Sequence, residues 1–263
     1  MSEKDEGRSV QEVYETLTDE QKMLVEYLVG EAAKLGDLDS ELDDYGFEIS
    51  DSDEGDDEYT AMYDRLVKLI NDLAVVRGKV TLSSGKEADY YIDLRRVTLH
   101  HEGADLIGSL LLEHLRELGY VPGPPDGFYD EIEGDDDSEA EPIYFSAIGG
   151  LTLGADPIAT AVLHAANENF QSVDAFVVRK AAKAHGMQRQ IEGPDIAGRN
   201  VIIVEDTTTT GGSPITAIEA VRAVGANPVA VATIVDRDTG AREKIEALGV
   251  PYFPLLTLDE LDI

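Results

Sequence analysis

The chain has 263 residues, 43% of them hydrophobic, which is enough for one sizeable α/β core with extra material or for two small domains. It contains no cysteine, which excludes disulfides and thiolate metal sites, and no stretch approaches the length of apolar run that a membrane-spanning helix needs. A formal charge of −33 disfavours nucleic-acid binding, and the first residues show no signal-peptide pattern, so a soluble cytoplasmic protein is expected, with neither nucleic acid nor membrane as partner.

Acid is both concentrated and spread. Residues 37–58 carry twelve acids and residues 126–141 carry nine, with no Lys or Arg in either, yet the remaining segments still hold 33 acids against 21 bases. That distribution suits a halophilic protein, whose self-repulsion is screened by a salty cytoplasm.

In chain order, Val10, Val13, Tyr14, Leu17, Leu24, Val25, Leu28, Ala32 and Leu35 recur at helical spacing. Ser9 with Glu12 and Thr18 with Gln21 each fit a capping box, so residues 1–36 are read as a helical extension of one bent helix or two short ones. Residues 37–58 are read as a disordered acidic linker and residues 59–263 as the main domain. That domain starts with a helix over 59–73 that turns Met62, Leu66, Leu69, Ile70 and Leu73 inward. The run VTLSSGKEADYYIDLRRVT, residues 80–98, then predicts two strands joined by a Ser84-Gly85 turn, with Tyr90 and Tyr91 either in the core or beside a pocket.

A further helix is expected over 102–119, followed by a surface insert over 122–142 rich in Pro, Gly and acid. A strand over 143–148 leads into GGLTLGADPIATAV, residues 149–162, a glycine-rich loop that opens a helix and offers backbone donors to an anion. A short strand over 175–178 runs into RKAAKAHGMQRQ. From Ala175 to Ile191 there is no acid, while Arg179, Lys180, Lys183, His185 and Arg189 crowd together; in so acidic a chain a basic island points to a bound anion.

The chain is organised around VIIVEDTTTTGGS, residues 201–213. Val201 to Val204 form a continuous apolar, β-branched run of the kind found in a central parallel strand covered on both faces. Glu205 and Asp206 are read as its end, where open α/β sheets bind ligands, and a carboxylate pair can accept hydrogen bonds from vicinal hydroxyls. Thr207, Thr208, Thr209 and Thr210 add hydroxyls, and Gly211 and Gly212 let the backbone approach a ligand. Ser213 is read as an N-cap and Pro214 as the first residue of the next helix, whose exposed N–H groups would hold a phosphate. A strand over 229–235 ending in Asp236-Arg237, a helix over 240–248 and a strand over 250–256 complete the sheet.

The thirteen residues 201–213 resemble the ribose-phosphate signature of the type I phosphoribosyltransferases. That resemblance implies a Rossmann-like parallel sheet flanked by helices with a small N-terminal hood. It also implies that Glu205 and Asp206 hold the ribose hydroxyls of phosphoribosyl pyrophosphate (PRPP), while residues 207–213 wrap its 5′-phosphate. The TLSSG turn with its aromatic strand, the RKxxKxHG spacing and VDRDTGA are similar to orotate phosphoribosyltransferases. By that likeness Tyr91, Ile92, Thr209 and Arg237 contact orotate, and Arg179, Lys180, Lys183 and His185 embrace the pyrophosphate. Lys183, His185 and Asp206 are then the catalytic group, on a loop shared across a homodimer, with Mg²⁺ carried on PRPP itself and no metal site built from the protein. The family often has Lys where Ser83 stands, and where Gly154 or Ala155 stands. A transferase for another base should lack the RKxxKxHG loop and the TLSSG segment, and both are present. A PRPP-sensing regulator would need a basic helix-turn-helix in residues 1–58, which are acidic.

Overall fold

The protein is described by a computed structural model over residues 54–81, 87–123, 141–180 and 190–263. The helical extension expected over 1–36, the linker up to residue 53, the Ser84-Gly85 turn, residues 124–140 of the insert and the segment holding Lys183 and His185 lie outside the described residues.

Helix α1, Glu54–Leu69, starts inside the stretch read as linker and ends in a widened turn, Ile70–Ala74. Strands β1, Val75–Thr81, and β2, Glu87–Ile92, then pair antiparallel as a separate two-stranded hood, with Arg77 opposite Tyr90 and Val76 opposite Tyr91. A four-residue helix α2, Arg95–Thr98, and the long α3, His101–Glu117, follow.

Strands β3, Tyr120–Pro122, and β4, Ile143–Phe145, pair in parallel on either side of the acidic insert. The single strand expected over 143–148 is therefore two, because β4 is taken up by β3 while β5, Ala147–Leu151, enters the main sheet. The break falls at Ser146, whose N–H donates to the Asn200 carbonyl at 3.1 Å. Next come α4, Ala155–Glu168; β6, Asp174–Val178; β7, Ile191–Glu192; and β8, Asn200–Thr208. The chain closes with α5, Gly212–Ala223; β9, Asn227–Asp236; α6, Ala241–Glu246; and β10, Tyr252–Thr257.

The main sheet has the order β10-β9-β8-β5-β6-β7. Its neighbours are parallel except β6 and β7, so the expected parallel sheet is a mixed one with an antiparallel edge. The reason is local: β7 pairs with the end of β6, Val178 opposite Ile191, and the basic run is the connection of that hairpin.

Strand β8 shows why its apolar run is unbroken. Ile202 and Val204 belong to the cluster that includes Ile107 and Leu111 of α3 and Ile158 and Val162 of α4, whereas Val201 and Ile203 belong to the one that includes Ile218 and Val221 of α5. Both faces are covered, so alternation by two still gives apolar residues everywhere. Burying each of these side chains contributes roughly 1.5–3 kcal/mol. The order of strands also sets the site. From β5 the chain moves through α4 to β6 on one side, and from β8 through α5 to β9 on the other, so the crevice at the carboxyl ends of β5 and β8 is the switch point where such sheets bind ligands.

Candidate active site

The loops after β5 and β8 open onto a cavity of about 490 Å³ lined by Tyr91, Ile92, Glu205, Asp206, Thr207, Thr209, Ser213, Lys180 and Arg237, among others. One cavity thus collects hood, cradle and sheet-edge residues that are far apart in sequence.

Glu205 is 6% exposed, and its carboxyl is pushed up to about 9, first by burial and then by the hydrogen bond and charge of Asp206. The Asp206 N–H and the Ser213 side chain pull it partly back down, the former at 3.3 Å from Oε1. Burial thus favours the protonated form of Glu205, whose carbonyl oxygen still accepts from hydroxyl donors. Asp206 Oδ1 accepts the Thr207 N–H at 2.7 Å, which aims the second carboxylate.

Strand β8 runs on past the acids to Thr208, because Thr207 and Thr208 pair with Val235 and Asp236 of β9. This separates the threonines that had been grouped together. The Thr207 hydroxyl is buried without a protein partner and lines the cavity. Thr208 is buried with its hydroxyl on Thr233 at 2.8 Å, turned into the sheet. Thr209 lines the cavity, while Thr210, Gly211 and Gly212 stand outside its lining. The helix start is also shifted: Gly211, at φ 77°, is the cap, and α5 begins at Gly212, which makes Ser213 and Pro214 first-turn residues. A left-handed cap favours glycine over serine, and proline still costs nothing there, since first-turn N–H groups have no intrahelical acceptor.

The loop after β5 contributes Thr152, Leu153 and Gly154 to the lining. A Cβ on Gly154 would lie 2.3 Å from Glu205 Oε1 and 2.9 Å from Asp206 Oδ1, so any side chain at this place would push the carboxyl ends aside. Among the expected cations, Lys180 reaches the cavity, whereas Arg179 is paired with Glu192 across the β6 and β7 hairpin at 3.2 Å. Arg237 lines the cavity with its Nε buried and unpartnered, and its guanidinium lies 5.2 Å from the centre of the Tyr90 ring. A buried donor without an acceptor costs roughly 1–3 kcal/mol, which a ligand's oxygen can recover.

Sequence reasoning passed over Asp93 and Arg95, which line the same cavity and are joined to each other at 2.7 Å. Their signal was the DLRR that directly follows the aromatic strand. Among the described residues, no helix is long and apolar enough to cross a membrane.

A mixed, largely parallel sheet with a carboxylate pair at its switch point, a hydroxyl-bearing cradle and a helix amino end matches the pattern expected of a phosphoribosyltransferase. Residues 147–250 match the model of the phosphoribosyl transferase domain. The chain is 56% identical over 199 residues to the orotate phosphoribosyltransferase of Streptomyces avermitilis, spanning 75% of this chain and 96% of that one. It is 52% identical over 198 residues to that of Corynebacterium glutamicum, covering 75% and 92%. Among solved structures, the Mycobacterium tuberculosis enzyme in complex with Fe(III) dicitrate aligns with a TM-score of 0.61 at 49% identity, covering 77% of this chain and 99% of that one. The same enzyme in complex with PRPP aligns at 0.59 and 44% over the same shares. The chain belongs to the orotate phosphoribosyltransferase family.

Proposed function

We infer the residue roles from the reaction of that family: the chain transfers the 5-phosphoribosyl group from PRPP to orotate, giving orotidine 5′-monophosphate and pyrophosphate, in pyrimidine biosynthesis. The observation that carries the assignment of roles is the single cavity that joins Glu205, Asp206, Thr207, Lys180 and Arg237.

Displacing pyrophosphate from the ribose C1 passes through a cationic, oxocarbenium-like state, so catalysis rests on positioning and on neutralising the leaving group. Glu205 and Asp206 accept the ribose hydroxyls, which fixes the sugar. Thr207, Thr209, Ser213 and the amino end of α5 take the 5′-phosphate. Arg237 offers the planar fork that suits the carbonyl and ring-nitrogen edge of orotate, with Tyr91 and Ile92 forming the wall of the base pocket. Lys180, Lys183 and His185, with Arg179 at the start of the same basic run, supply the positive charge that neutralises the pyrophosphate.

Mg²⁺ keeps several waters and binds chiefly through substrate phosphates. The carboxylate oxygens of Glu205 and Asp206 and the unpartnered Thr207 hydroxyl fit that mode, as hard oxygen groups able to face its waters. When bound, it supplies neutralising charge to the pyrophosphate.

The protein acts as a homodimer in which the loop of one subunit completes the site of the other. Lys183→Ala is expected to lower kcat at least about 10²-fold, roughly 2.7 kcal/mol, with much less change in PRPP affinity, because its charge is needed most in the transition state. Mixing inactive Lys183→Ala and Asp206→Ala subunits should restore some activity, since one composite site then holds both intact residues. Turnover that survives Lys183→Ala removes the loop from catalysis. Inactive hybrids from well-mixed subunits overturn the sharing alone.

A further inference from the structure

We propose that Tyr90 is a positioning residue for base recognition: its ring is the platform that holds the Arg237 guanidinium toward the substrate. The proposal rests on the reading of Arg237 as the orotate contact. Among the described residues Arg237 forms no hydrogen bond or ion pair through its side chain, and its Nε is buried without an acceptor. An arginine so placed has roughly 2 kcal/mol of rotamer freedom and nothing polar to restrain it. What it does have is the Tyr90 ring, with the guanidinium carbon 5.2 Å from the centroid. Cation–π attraction at that distance orients the plane of the fork without consuming any of its five donors, which stay free for a planar ligand edge.

Tyr90 itself does not line the cavity, whereas its neighbour Tyr91 does, so Tyr90 acts through Arg237 and not on the substrate. The platform is also anchored. Tyr90 sits opposite Arg77 in the hood register, and Arg77 donates through Nε and Nη2 to the Asp262 carbonyl at 3.2 and 2.6 Å. Asp262 in turn donates its N–H to the Asn71 side chain at 2.9 Å. The hood strand is thereby tied to the turn after α1 and to the end of the chain. Arg237 leaves the main sheet at the end of β9, so the stack is a link between the hood and the sheet, made at the residue that reads the base.

The test is steady-state kinetics of the full-length protein, varying orotate and PRPP separately. Tyr90→Leu and Tyr90→Met, which remove the ring, should raise the KM for orotate roughly five- to tenfold, as expected for a partly desolvated cation–π contact. The KM for PRPP should move by less than about twofold in either variant, which also reports an intact fold, and Tyr90→Phe should restore the orotate KM because the ring face remains. In an Arg237→Ala background, Tyr90→Leu should add nothing, since the group it positions is gone. An unchanged orotate KM in both ringless variants, an equal rise in both KM values, or a full additional rise on top of Arg237→Ala overturns the role of Tyr90. A different result, no orotate-specific effect of Arg237→Ala itself, removes Arg237 from base reading and the Tyr90 proposal with it.

Discussion

Strand β5 with helix α4 and strand β8 with helix α5 are the same kind of unit, a buried parallel strand, a short loop containing glycine and a helix that opens at the crevice. They contribute opposite things. The β8 unit carries Glu205, Asp206, Thr207, Thr209 and Ser213 into the cavity, while the β5 unit brings Leu151, Thr152, Leu153 and Gly154, with no charged side chain. What β5 supplies is space: a Cβ on Gly150 would meet the Val204 carbonyl at 2.2 Å, and one on Gly154 would meet Glu205 Oε1 at 2.3 Å. A functional loop can therefore be recognised by side chains that act or by the side chains it lacks.

Filling the space should do the most harm. Gly154→Ala pushes both carboxyl ends aside and is expected to weaken PRPP binding by about 10²-fold or more, since both acceptors for the ribose hydroxyls move. It should also lower Tm by roughly 3–10 °C, from about 1–3 kcal/mol of overpacking in a protein of this size. The first residue of α5 in the other unit is the contrast. A Cβ on Gly212 meets nothing within 4 Å, so Gly212→Ala should leave Tm unchanged or slightly raised, and a common drop in Tm for both variants would erase the distinction drawn between the units.

Removing one acid should cost less than displacing two. Asp206→Ala should weaken PRPP binding roughly 10- to 10²-fold, corresponding to about 1.5–3 kcal/mol for a hydroxyl losing a charged acceptor. Calorimetric titration measures this directly, and an unchanged affinity would take the residue out of the ribose site.

The smallest expected effect is on pH-dependent stability. Glu205 titrates near 9 in the folded chain against an ordinary value of 4.5, so the folded form keeps a proton that the unfolded form has lost. Its contribution to stability is fully present below pH 4.5 and is lost as pH rises toward 9. Glu205→Gln cannot ionise, so it should match the wild type near pH 4.5 and exceed it in Tm by a margin that widens as pH rises through the alkaline range. Parallel Tm curves across that window would show that Glu205 does not hold the extra proton.

Much of this architecture was legible from local pattern. The apolar run 201–204 marked a doubly covered strand, and the acids after it marked the crevice, since both signals are carried by consecutive residues. Boundaries were less legible. Strand β8 outruns its acids because β9 offers partners to Thr207 and Thr208, and β4 parts from β5 because β3 competes for it. In both cases the deciding partner lies elsewhere in the chain. The cap moved from Ser213 to Gly211 for a similar reason, since both residues fit the composition of a helix start and only the backbone turn chooses the left-handed one.

By itself the sequence determined which residue types could perform the chemistry: a paired carboxylate, threonines, a basic run and an arginine at a strand end. The tertiary structure decided which of them face the same space. Thr207 looks into the cavity while Thr208 is bound to Thr233, and Arg237 is supported by a tyrosine of the hood. Gly154 is required by carboxylates from a different strand. Chemical capacity is a property of single side chains, but accessibility and steric room depend on distances between residues remote in sequence, and those exist only once the sheet has closed.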